Sequence, residues 1–110
     1  MRMWKIDTEF LCRQHLLGEH NELHKFAGAL NKEKNIKGFI EKGLMEVHNI
    51  VKRHNELVKE MNFRGYKHNS LLPKFKIFKA GKINVSKNKK DLFKRCDECR
   101  RRAKCLKDKN

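Results

Sequence analysis

The stretch Gln14-His15-Leu16-Leu17-Gly18-Glu19-His20-Asn21-Glu22-Leu23-His24-Lys25-Phe26 gathers groups that can bind metal, move protons or hold charge. His20 and His24 lie four residues apart, which places both imidazoles on one face of a helix, the spacing of a zinc-binding pair. A zinc protease would carry its glutamate directly after the first histidine. Here Glu22 comes two residues after His20, and no third ligand is obvious. His20-Asn21-Glu22 also matches the His-x-Glu half of a zinc deaminase signature, with Cys96-Asp97-Glu98-Cys99 as its Cys-x-x-Cys half. Against that reading, Arg95 stands where the signature has proline, and no series of strands is present to build such a fold. Cys96, Cys99 and Cys105 could hold structural zinc with Cys12 or a histidine as fourth ligand. On one continuous helix, however, Cys96 and Cys105 point to nearly opposite sides at about 100° per residue, so the helix would have to break. Reduced thiols, two of them packed inward, are the simpler reading. No metal ligand set and no cofactor are therefore expected. Glu22 is left as a carboxylate that serves another reaction centre or pairs with Lys25 on a solvent face.

The elements that must position these groups are helical. Asp7 or Thr8 can cap a helix carrying Phe10, Leu11, Leu16, Leu17, Leu23, Phe26, Ala27 and Leu30, with a bend expected at Gly18. A polar loop follows around a short apolar turn at Ile36, Phe39 and Ile40. Leu44, Val47, Ile50, Val51, Leu57, Val58 and Met61 then recur at three- and four-residue intervals, which predicts an amphipathic helix packed on the first and ending near Arg64-Gly65. From Tyr66 to Ser86 the only proline, Pro73, and the run KFKIFKAGKI predict extended or irregular chain, with room for a strand. Ser86 or Asn88 can cap a last helix over DLFKRCDECRRRAKCLKD. The expected fold class is all-α, a compact small helical domain over residues 1–68 with a basic, partly irregular extension over 69–110 that ends in a helix.

Charge points to the partner. The chain of 110 residues holds 28 Lys and Arg against 13 Asp and Glu, a net +15. Residues 64–110 carry nearly all of that excess, with 17 basic and 4 acidic side chains. Such a segment is suited to phosphate contacts that carry no base information, and Lys89, Lys90, Arg100, Arg101 and Arg102 are its candidate contacts. Phe75, Phe78 and Tyr66 could stack on bases or simply anchor the segment. No apolar run approaches the roughly 20 residues that span a bilayer, and the N-terminus lacks the apolar stretch of a signal peptide. The expected location is intracellular and cytoplasmic, the host cytoplasm if the chain is phage-encoded.

Two ordered segments carry a family resemblance. Gln14-His15-Leu16-Leu17-Gly18-Glu19-His20-Asn21-Glu22-Leu23 reproduces a Gln-His-Leu-x-x-Glu-x-x-Glu-Leu pattern. Lys52-Arg53, Glu56-Leu57, Glu60 and Arg64-Gly65-Tyr66 follow a Lys-Arg-x-x-Glu-Leu-x-x-Glu-x-x-x-Arg-Gly-aromatic run. Over residues 1–68 the chain thus resembles the phage pyrimidine-dimer DNA glycosylases of the endonuclease V type. The resemblance implies a glycosylase and abasic-site lyase acting on double-stranded DNA as a monomer, with Glu22 as catalytic carboxylate. The register without gaps puts Met1 on the residue whose α-amine attacks. Arg2 is too large to favour removal of an initiator Met, so the amine of Met1 itself would serve. Arg2, Gln14, His15, Asn21 and Lys25 fall at or beside positions that contact DNA in the family. Lys25 stands for a family arginine and keeps its charge without the bidentate fork. Asn21 also replaces an arginine, which bears on the lesion recognised. The family's aromatic C-terminal segment has no counterpart here. Two other functions fit the same scaffold: a glycosylase for a modified base, and a non-catalytic phage DNA-binding, regulatory or anti-defence protein.

Overall fold

Backbone pairing near the start of the chain decides where its helices begin. The structure, a computed structural model, describes residues 2–68 and 71–108 and is all-α, with no strand among the described residues. The first helix does not start at Asp7 or Thr8. A 3-10 turn over Thr8–Phe10 is followed by extended backbone at Leu11 and Cys12, and helix α1 runs Arg13–Asn31 with Cys12 at its N-cap. Phe10, Leu11 and Cys12 are all buried, and three consecutive inward side chains do not fit the single stripe of a surface helix. Nor is α1 broken at Gly18. A glycine inside a helix costs roughly 0.5–1 kcal/mol, while Leu16, Glu19, Leu23, Phe26 and Ala27 all lie buried on either side of it.

Helix α2, Lys37–Glu41, is the short apolar turn, and Phe39 sets its ring edge-on against Phe26 at 5.2 Å. The long helix expected from Leu44 is shorter: a 3-10 turn over Val47–Asn49 leads into α3, Ile50–Phe63. Tertiary pairing overrides periodicity here. The Met3 N–H donates to Leu44 O at 2.7 Å and the Val47 N–H to Ala80 O at 3.0 Å, which draws residues 44–47 out of the helix. Ile50, Leu57 and Met61 face the core, whereas Val51 faces out. Gly81 permits this close passage. Its φ is +90°, and a Cβ there would stand 2.1 Å from Met45 O.

The last helix is two. Helix α4, Val85–Arg95, is capped by Asn84, whose Oδ1 accepts the Lys87 N–H at 3.0 Å. Cys96 is extended (φ −123°, ψ 107°), and α5 follows as Asp97–Asp108. The break required for clustering the cysteines thus occurs at Cys96 itself. Leu92, Cys99 and Ala103 from α4 and α5 join Met3, Ile6, Leu11, Leu16 and Leu57 in one core. No helix among the described residues is long and apolar enough to cross a membrane.

Candidate active site

Helix α1 is fixed by a buried ion pair. Arg53 of α3 donates from Nε and Nη2 to the two carboxylate oxygens of Glu19 at 2.7 and 2.9 Å, and both side chains are almost wholly buried. This fork holds the helix that carries Glu22. Glu22, half-buried, accepts the backbone N–H of Arg2 on Oε2 at 2.9 Å. Among the described residues no ion pair joins it to Lys25, which is exposed. The N-terminal segment is held from the other side by α4. Asn88 donates from Nδ2 to Met3 O and Trp4 O at 3.2 and 3.1 Å. Its Oδ1 accepts from the Arg2 guanidinium, which also reaches Asp91 at 3.5 Å and lies over the Trp4 ring. A carboxylate and the backbone of residue 2 are thereby brought together between α1 and α4.

The other residues singled out from sequence divide by environment. Gln14, Asn21, Lys90, Arg100 and Arg101 are exposed. Arg100 is paired with Asp97. Lys89 lies over the Phe10 ring at 5.2 Å, and Arg102 donates to Glu9 O at 3.0 Å, so both serve packing as well as surface charge. Met1 lies outside the described residues. Lys42, Lys82 and Lys87, none of them singled out by motif, line a cavity of about 300 Å³ together with Arg2, Asn88 and Asp91. The only sequence signal for them is the general basic excess.

His15 turns inward. Its Nδ1 lies 3.2 Å from Cys12 Sγ and 3.7 Å from Cys99 Sγ, and its ring meets Trp4 edge-on. Burial lowers its pKa, and the Glu22 carboxylate acts in the opposite direction. Cys12 Sγ lies 3.8 Å from Cys96 Sγ. Burial pushes the Cys99 thiol up to about 12. At Cys96 burial also pushes upward, but hydrogen bonds from Cys99 and Cys12 outweigh it and the net shift is down. The exposed Cys105 is not part of this group.

His20 and His24 find the partners their spacing lacked. His54 of α3 and His68 bring ring nitrogens to the same point, all four within 4.8 Å of one another. His24 Nε2 and His54 Nε2 are 3.2 Å apart. His20 is lowered to about 4 by burial and by the neighbouring imidazoles. The deaminase pairing does not form: His20 and Glu22 belong to neighbourhoods other than that of Cys96 and Cys99.

A helical domain that sets a carboxylate against its own N-terminal backbone is the kind of scaffold the two sequence patterns describe. The family model for pyrimidine dimer DNA glycosylases matches residues 1–74, and the chain belongs to that family. No curated protein and no solved structure shows a significant match.

Proposed function

We propose that the chain removes a damaged pyrimidine from double-stranded DNA and then nicks the abasic strand, acting as a monomer through the α-amine of Met1 and the carboxylate of Glu22. The observation that carries this reading is the 2.9 Å hydrogen bond from the Arg2 N–H to Glu22. The α-amine lies one residue before that N–H, so it is tethered within a single residue's reach, about 3.8 Å between successive Cα atoms. An α-amine has an ordinary pKa of about 7.7–8.0, which leaves a useful neutral fraction near pH 7. Its lone pair attacks C1′ of the damaged nucleotide, and the base leaves with the electrons of the glycosidic bond and takes up a proton. The nitrogen gives one proton to solvent, the C1′–O4′ bond breaks as O4′ takes up a proton, and a protonated imine results. Glu22, as carboxylate, stabilises the cationic sugar and then takes the C2′ proton, so that β-elimination expels the 3′ phosphate. Arg2, Lys42, Lys82 and Lys87 around the neighbouring cavity, with Arg100 and Arg101 on α5, are suited to the phosphates of the strand.

The test is covalent trapping. Borohydride reduction during reaction with ultraviolet-irradiated or abasic duplex is expected to link Met1 to DNA, and acetylation of the amine to abolish both trapping and nicking. Glu22→Gln keeps the shape and loses the charge, so base release is expected to fall by about 10²–10⁴-fold while DNA is still bound. An adduct on a lysine, or full activity after acetylation, rules out the mechanism. Absence of nicking on irradiated, abasic and base-modified duplexes alike assigns the scaffold to DNA binding without catalysis.

A further inference from the structure

We propose that Cys12, His15, Cys96 and Cys99 form a structural zinc site that ties the start of α1 to the junction of α4 and α5. Tetrahedral zinc with bonds of about 2.3 Å to sulfur and about 2.0–2.1 Å to nitrogen sets ligand atoms about 3.8 Å apart for two sulfurs and about 3.6 Å apart for sulfur and nitrogen. The observed separations are 3.8 Å between Cys12 Sγ and Cys96 Sγ, with His15 Nδ1 at 3.2 and 3.7 Å from Cys12 and Cys99. They fit that tetrahedron to within a few tenths of an ångström. They are too long for a disulfide, whose sulfurs lie about 2.05 Å apart.

The backbone around the four is arranged for thiolates. Cys12 is the N-cap of α1, and Cys96 immediately precedes α5, so two helix N-termini face the sulfurs and favour negative charge there. The Cys12 N–H donates to Cys99 Sγ at 3.2 Å and the Cys99 N–H to Cys96 Sγ at 3.5 Å. Each ligand pair has the same form, two residues three apart at a helix start, Cys-x-x-His and Cys-x-x-Cys. Three thiols give their protons to solvent when Zn²⁺ binds, and the neutral imidazole donates its lone pair, which leaves a centre of net charge −1. That anion sits beneath Arg13, Arg101 and Arg102, which with Cys12 and Glu98 line one surface cavity.

A separate observation points to a second metal ion. Buried Nε2 atoms of His20 and His68 have no hydrogen-bond partner, and unpaired buried polar atoms are rare without an ion or water to satisfy them. With His24 and His54 they converge on one point, and no carboxylate belongs to the group. Four neutral imidazoles suit a divalent transition ion, zinc above all. It would join α1 to α3 and to the chain beyond Tyr66.

The two sites are distinguished on the wild-type full chain by their chemistry. Protein purified without chelator or histidine tag, or refolded with Zn²⁺ under reducing conditions, is expected to retain two zinc ions per chain after gel filtration. A mercurial that captures thiolates should release one and leave the other. Cobalt substitution should give an intense thiolate-to-metal charge-transfer band, which Cys96→Ser weakens and His24→Asn leaves intact. His24→Asn with His68→Asn should reduce the zinc content to one, all of it released by mercurial. Failure to retain any zinc overturns both sites. One zinc that mercurial releases overturns the histidine site alone, and zinc of which mercurial releases none overturns the cysteine site.

Discussion

Arg53→Met is expected to be among the most damaging single substitutions in the chain. The magnitude follows from burial: side-chain exposure is 4% at Arg53 and 0% at Glu19, and two short bonds of 2.7 and 2.9 Å connect them. An exposed pair of this kind contributes about 0–1 kcal/mol. Breaking a buried one leaves a charge without partner or water and costs about 3–5 kcal/mol. For a domain with about 5–15 kcal/mol of total stability, that loss is large. At roughly 4 °C or more per kcal/mol for a chain of this size, the melting temperature should fall by more than about 10 °C. Glu19→Leu combined with Arg53→Met removes both charges and should recover most of the loss, because an apolar replacement of a buried pair is often neutral or better. Urea unfolding at matched zinc content measures all three variants against wild type. A single-variant cost below about 1 kcal/mol, or a double variant worse than either single, would refute the idea that desolvation governs this pair.

Glu46 should set part of the acid limit of stability. Burial pushes its pKa up, but hydrogen bonds from Lys5, Asn49 and the Ile83 N–H outweigh this and hold it below its ordinary 4.5. A carboxyl lowered in the folded state contributes stability above its unfolded value and loses it as pH falls through the folded value. Glu46→Gln should therefore flatten the decline in stability below pH 4.5, as followed by thermal melts. Gly81→Ala forces a left-handed φ on a residue with a side chain and drives its Cβ into Met45 O, so a loss of about 2 kcal/mol or more is expected in urea titrations. Lys82→Ala with Lys87→Ala should lower the slope of log K against log salt by roughly 0.9 for each phosphate no longer neutralised. An unchanged slope would show that the cavity beside Arg2 does not meet DNA.

The family pattern carries Glu22 as a candidate, because residue type and register both sit within one helix, and the structure sets that carboxylate against the Arg2 N–H. Helix limits are less so. Leu44 and Val47 carry helical spacing, yet their backbone groups pair with Met3 and Ala80, and nothing local announces those partners. The histidine group is half visible: His20 and His24 share a helix face, whereas His54 reaches them through packing of α1 on α3, and His68 through the course of the chain after α3. The thiol group carries a signal of a different kind. Cys12-x-x-His15 repeats the spacing of Cys96-x-x-Cys99, and two such pairs suggest one tetrahedron even when most of the chain separates them. Cys105, the natural companion of Cys96 and Cys99 by position, masks that signal, since α5 buries Cys99 and leaves Cys105 exposed.

Asn88 gives the molecule a particular relation to time. It grips Met3 and Trp4 from 85 and 84 residues further along the chain, so this segment receives its support from a helix that is synthesised long after it. Closing so long a loop is slow compared with forming a local helix. While the chain is being translated, the extended N-terminal segment has no α4 to rest on. Assembly of the site beside Glu22 should therefore be among the last events of folding, completed only after α4 has emerged.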